Sequence, residues 1–316
     1  MLAGCDVGTP SSTLSRVRQA IADGGLDLED TGVVMVRQRA SGRGCSASVV
    51  APNLVLTARH CVSDFGTDGV TCGRTAFQEV LPAASLEVLV GADFAAPDDT
   101  LTVSEVWPVP SDGGFCDNDA TVLLLGPASP TSSLRMLRPQ LDAPLRAGDG
   151  YSAIGFGATR DTGDGFGLRR RRDALTVDCV GNGCGVPDVG SREWQASYGL
   201  CRGDSGGPAV DPEGRLVGIA SRAVARCEAP IYSSLFELRG WLIESAHQAS
   251  VRGSYPLPEW ARQDVEPSVM SLSPEVTSGC AVGAWQTPAV SLGVAVLSAR
   301  RRLRRARSRN GVAGSR

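Results

Sequence analysis

Lysine is missing from this 316-residue chain altogether; all 31 basic residues are arginine, a bias that reads as genomic base composition before it reads as physics. Histidine is almost as scarce. With only His60 and His247 present, a general base built on imidazole has two candidates and no more. No amphipathic helix of any length is readable before residue 235, which leaves short strands as the main element. A metal reading of Cys179-x4-Cys184 lacks a second ligand pair at metal-site spacing, so no metal and no other cofactor is expected. A dinucleotide fingerprint at Gly155-Phe156-Gly157 fails too, because Arg160 stands at the third glycine position. The body of the chain is also short of positive charge. Residues 300–316 hold eight arginines and no acid, leaving 23 arginines against 34 acids before them, a net of −11 behind the overall −3. That balance speaks against a nucleic-acid partner.

What is present is 42% hydrophobic residues, ample for a core, distributed in short β-branched and apolar runs. Val33-Val34-Met35-Val36, Leu86 to Val90 and Leu101-Thr102-Val103 are separated by Gly, Pro and Asp clusters, the pattern of an all-β barrel or sandwich. Residues 62–85 and 92–100 read as surface loops, and Pro127 to Pro144 as a crossover between two halves. Arg169 to Arg172 reads as a solvated strand edge or an exposed nicking site. From Leu235 to His247 the apolar residues Leu235, Leu238, Trp241, Leu242 and Ala246 fall at helical spacing, while His247 itself reads as a surface residue near a helix end. Residues 248–279, with four prolines, read as an extended linker.

Three stretches carry chemistry. Cys201-Arg202-Gly203-Asp204-Ser205-Gly206-Gly207-Pro208 surrounds a serine with glycines whose backbone freedom can bring the N–H groups of Gly203 and Ser205 to one point, as an oxyanion hole requires. A serine hydroxyl needs a base beside it. His60, in Leu56-Thr57-Ala58-Arg59-His60-Cys61, follows the strand pair Ser48 to Val50 and Leu54 to Leu56, which delivers it to a rim. Asp119 opens the apolar run Ala120 to Leu125 and suits a shielded carboxylate orienting an imidazole. Taken singly, these are a plain turn, a packing residue and a cap; their coincidence points to catalysis.

In this order, Leu-Thr-Ala-x-His-Cys, Asn-Asp-x-x-x-Leu and Gly-Asp-Ser-Gly-Gly-Pro resemble the trypsin and chymotrypsin family of serine endopeptidases across roughly residues 21 to 247. The resemblance implies two packed six-stranded antiparallel β-barrels and a C-terminal helix. It also implies hydrolysis of protein or peptide substrates by a monomer through His60, Asp119 and Ser205. A protease fold that has lost activity and serves as a binding protein on the cell surface is the competing reading. In members that prefer Lys or Arg, an Asp six residues before the nucleophile floors the substrate pocket. Gly199 stands there, which disfavours a buried cation. Leu200, Arg202, Ser221, Arg222, Ala223 and Pro230 would border the pocket. A medium apolar substrate residue is preferred over an acidic one drawn by Arg202, Arg222 and Arg226. The family's activating terminus corresponds to Ile21, freed by cleavage and paired with Asp204, although Ala22 and Asp23 depart from the usual residues that follow it.

Ten cysteines argue for an oxidising compartment. The family pattern implies Cys45 with Cys61 and Cys201 with Cys227. The remaining inner four admit three pairings, of which Cys72 with Cys116 and Cys179 with Cys184 is preferred. Met1-Leu2-Ala3-Gly4-Cys5 resembles a bacterial lipobox without the charged and apolar regions that precede one, and residues 1–20 read as a tether or propeptide. Ser278-Gly279-Cys280, the apolar run 281–299 and the arginines after it resemble the C-terminal sorting tails of myxobacteria, with a basic disordered extension as the plainer alternative. Lipidated Cys5 or the 281–299 segment would anchor the chain to a membrane. An extracytoplasmic protein, secreted or held at the bacterial cell surface, is the expectation.

Overall fold

A computed structural model describes residues 24–66, 69–126, 131–159, 163–225 and 227–262. The apolar runs fold into two antiparallel barrels. The first is closed by β2 (Val33–Gln38), β3 (Gly44–Ala51), β4 (Leu54–Thr57), β5 (Leu86–Val90), β6 (Asp99–Pro108) and β7 (Thr121–Leu125), in the order β2-β3-β4-β7-β6-β5. In the second, β8 (Gly150–Gly155), β9 (Arg170–Val180), β10 (Glu193–Ala196), β11 (Pro208–Val210), β12 (Leu216–Ala225) and β13 (Glu228–Ser234) run β9-β10-β13-β12-β11-β8. Pairing of β8 with β9 closes that ring. A two-residue strand, β1 (Gly25–Leu26), adds to β9. The all-β architecture expected from short, punctuated apolar runs is the one observed.

Closing a sheet removes its free edges, and the residues that point inward make the cores. Val33 to Val36, Val49, Leu54 to Leu56, Val88 and Val122 to Leu125 fill the first barrel and its outer contacts. In the second, Trp194 stacks on Tyr232 with ring centroids 4.1 Å apart, and Tyr151, Leu175 and Val177 surround them. The run Arg169 to Arg172 departs from the expected solvated edge. Because β9 lies between β1 and β8, the run is interior to the sheet. Arg169 is 2% exposed, ion-paired with Asp27 and bonded to the carbonyls of Val33 and Gly91. Arg171 bridges Asp30 and Asp173.

The C-terminal helix α1 (Arg239–Gly253) begins later and ends later than its apolar spacing suggested. Residues 235–238 form a turn ahead of it, and Ser254, in the left-handed region at φ 53°, stops it. The chain then folds back on the first barrel: Trp260 is buried and donates its indole N–H to the Val50 carbonyl at 3.1 Å. Packing therefore continues through residues that composition assigned to a linker. The loop 62–85 also departs from a plain surface loop. A disulfide pins it, and Phe77 packs inside against Phe115. The expectations for Cys5, Ile21, Arg226, Cys280 and the 281–299 run fall outside the described residues. Among the described residues, no helix is long and apolar enough to cross a membrane.

Candidate active site

Strand register brings the first two side chains together. Thr57, the last residue of β4, is paired with Thr121, the first of β7. The chain leaving β4 and the chain entering β7 therefore meet just beyond that pair. His60 lies on a 3-10 turn, Arg59–Cys61, tied back to β3 by the Cys45–Cys61 disulfide. Its Nδ1 lies 2.8 Å from Asp119 Oδ2, and its backbone N–H donates to Asp119 Oδ1 at 2.9 Å. Asp119 is fully buried, and the Ser221 hydroxyl donates to its Oδ2 at 2.6 Å. Burial alone would push this carboxyl up. Electrostatic attraction to His60, the imidazole and backbone hydrogen bonds from the same residue and the Ser221 hydroxyl outweigh it and hold Asp119 below the ordinary carboxylate range. A bound, ionised carboxylate fixes both the tautomer and the tilt of the ring.

Ser205 arrives from the second barrel. Its turn can approach because Gly206, at φ 80°, has no side chain: a Cβ there would strike Thr57 Oγ1, the Ser46 carbonyl and the Ala58 nitrogen. Gly206 N–H donates to Ala220 O and Gly207 N–H to Asp204 O, which fastens the turn. His60, Ser205 and Gly203 then line one cleft of about 590 Å³, together with Gln38, Arg43 and Phe166. No hydrogen bond joins His60 and Ser205, a contact that substrate binding tightens in catalysis by such pairs. The backbone N–H groups of Gly203 and Ser205 have no acceptor among the described residues. Those are the two donors an oxyanion would need.

Asp204 faces the other way, into the interior. Its Oδ1 accepts from Gly157 N–H and its Oδ2 from Cys201 N–H, each at 2.8 Å. A Cβ on Gly157 would overlap the carboxylate, so glycine there is what admits it. Burial pushes the Asp204 carboxyl up, against the pull of those two N–H donors, to about 7. Ser46, which sequence reasoning passed over, is fully buried next to it, donating to Gly203 O and accepting from Phe156 N–H, both at 2.9 Å. It ties the serine loop to β3. A serine following Cys45 in a strand gives no signal of this in the sequence.

Beside Ser205 opens a cavity of about 310 Å³ lined by Leu200, Cys201, Arg202, Ser205, Ser221, Arg222, Ala223 and Cys227. Gly199 and Pro230 are not on its wall. Pro230 is buried opposite Ala223 in the β12–β13 pairing. Gly199, at φ 134°, is buried where a Cβ would meet Leu175 and the hydroxyls of Tyr151 and Tyr232. Arg222 is not available to an acidic substrate group, because Glu193 holds its guanidinium at 2.7 Å through both nitrogens. Three phenylalanines close the back of the site: Phe115 stacks 6.0 Å from the His60 ring, Phe65 meets it edge-on, and Phe77 stacks on Phe115. The disulfides are Cys45–Cys61, Cys72–Cys116, Cys179–Cys184 and Cys201–Cys227. The two groups of cysteines that lie near His60 and near Glu193 are therefore bonded sulfurs with no thiolate to offer a metal.

The family model for Trypsin matches residues 29–242, more than half of the chain. The chain belongs to the trypsin family. The match runs from just after β1 to the first turn of α1, so the trypsin-family segment contains His60, Asp119 and Ser205 and both barrels. A curated relative, the serine protease SP24D of Anopheles gambiae, is 27% identical over 195 residues, 60% of this chain. The match spans 66% of that relative, just under two thirds of its length. The rest of α1 and the returning segment with Trp260 lie beyond the trypsin-family match.

Proposed function

We propose that this trypsin-family chain is a serine endopeptidase that cuts peptide bonds through an acyl-enzyme. Ser205 Oγ attacks the substrate carbonyl as His60 Nε2 takes its proton. The negative charge on the carbonyl oxygen is met by the N–H groups of Gly203 and Ser205, and His60 returns the proton to the departing amine. Water then repeats the sequence on the ester and frees Ser205. Asp119 holds the imidazole with Nε2 toward the cleft throughout. The observation that carries this reading is the buried Asp119 bonded to His60 Nδ1 at 2.8 Å, with His60 and Ser205 on the wall of one cleft.

The preferred substrate residue before the cut bond is uncharged and apolar, of medium size. Leu200, Ala223 and the Cys201–Cys227 bridge support this, as does the neutralisation of Arg222 by Glu193. Cleavage before Ile21 supplies an ammonium to Asp204, a buried carboxylate whose partners among the described residues are two backbone N–H groups. Four disulfides fit folding outside the cytoplasm. The test is covalent labelling: a diphenyl phosphonate bearing an apolar side chain should modify Ser205, seen by mass spectrometry of the tryptic peptide. A chain trimmed to begin at Ile21 that takes no label, and turns over no peptide from a mixed library, leaves the inactive binding protein as the reading.

A further inference from the structure

Resting on the peptidase reading, we infer that Arg222, clamped by Glu193, is a positioning residue that sets the Asp119 carboxylate through Ser221. Glu193 is fully buried, at the start of β10. Its Oε1 accepts from Arg222 Nη1 and its Oε2 from Nη2, both at 2.7 Å, while Gly190 N–H and Asp117 N–H donate to the same two oxygens at 2.7 and 3.3 Å. All of its lone-pair directions are used. The guanidinium is held equally closely: Nη2 also donates to Asp188 O at 2.6 Å, and the Phe115 ring lies beneath at 5.6 Å. Nη1 has one further bond, to Ser221 Oγ at 3.1 Å.

That last bond has a directional consequence. A serine hydroxyl carries one proton and two lone pairs. Ser221 Oγ receives Arg222 Nη1 on a lone pair, so its own proton is left for Asp119 Oδ2, 2.6 Å away. Five side chains thus form one line of donors and acceptors, Glu193, Arg222, Ser221, Asp119 and His60. A second link ends on the same strand entry: Arg192 donates from its backbone to Asp117 Oδ1 at 2.6 Å and from Nη2 to Asn118 Oδ1 at 2.5 Å. Both residues directly before Asp119 are therefore held by Arg192, the residue just before Glu193. A buried ion pair is a weak source of stability, because desolvation offsets the attraction. The use of this one is geometric: it stops the Ser221 hydroxyl from turning away from Asp119.

The decisive experiment is a double-mutant cycle on the chain cleaved to begin at Ile21, with a peptide p-nitroanilide ending in leucine as the probe. Arg222→Met should lower kcat by about tenfold with KM kept within about twofold, and should cost nothing more once Ser221→Ala is present. Arg222→Met/Glu193→Leu replaces the pair by apolar side chains, keeps the barrel folded by thermal melting, and should show the same kcat loss as Arg222→Met. If Arg222→Met alone does not fold, this double variant takes its place in the cycle. The inference is overturned if Arg222→Met lowers kcat by an equal factor with and without Ser221, if only KM rises, or if the apolar pair restores kcat. Absence of turnover and of phosphonate labelling in the wild type overturns the peptidase reading instead.

Discussion

Asp119 and Asp204 are both buried carboxylates, yet their surroundings push them in opposite directions. Asp119 accepts from His60 twice and from Ser221, and stays ionised. Replacing it by Asn keeps the shape and removes the charge that favours the productive imidazole tautomer. Asp119→Asn should therefore lower kcat on the order of 10⁴-fold with the fold intact, measured by initial rates and circular dichroism. Asp204 has only two backbone donors against its burial and is pushed up to about 7 from an ordinary 3.8. Between those values the folded chain keeps a proton that the unfolded chain has released, so this residue's contribution to stability declines as pH rises from about 4 toward 7. Relative to wild type, Asp204→Asn should become steadily more stable over that window in urea unfolding. A difference that stays flat would mean that a cation already neutralises Asp204 in solution.

Among the elements, the loop 62–85 and the segment after α1 are the two whose packing departs most from the plain loop and linker that composition suggested. Cys72–Cys116 closes 44 residues and holds Phe77 and Phe115 behind His60. Loop-closure entropy puts its contribution near 4 kcal/mol. The double change Cys72→Ser with Cys116→Ser should lower the unfolding free energy by up to about that amount in urea titration. It should also loosen His60, so that kcat falls even where the protein is folded; full activity in the folded variant would show that the aromatic stack does not position the ring. The spacing of Leu235, Leu238, Leu242 and Ala246 announced α1, because a stripe facing a core repeats with the helix. Its end at Gly253 and the anchor at Trp260 were not readable. One tryptophan among prolines has no period, and only the first barrel's surface near Val50 decides that it packs.

At the scale of the whole molecule, two barrels contribute complementary halves of one site: β4 and β7 supply His60 and Asp119, and the turn before β11 supplies Ser205. Because the returning segment covers the first barrel, a chain running from Ile21 to residue 262 should fold and take the phosphonate label at Ser205. One ending at 247 severs α1 and removes Trp260, and should be insoluble or lose cooperative melting. Label and melting curve on the two truncations check this, and equal behaviour would show that the segment is dispensable. The primary sequence by itself determined the all-β class, the helix at the end and the three stretches that carry His60, Asp119 and Ser205. Those rest on local pattern: strand-length apolar runs, helical spacing, and glycines where a backbone must turn. Only the tertiary structure decided that Arg169 is buried, that Ser46 braces the serine loop, and that Arg222 is bound by Glu193. The partners of these three lie 142, 157 and 29 residues away along the chain. What an arginine or a serine does is set by the group it meets, and folding alone brings that group to it.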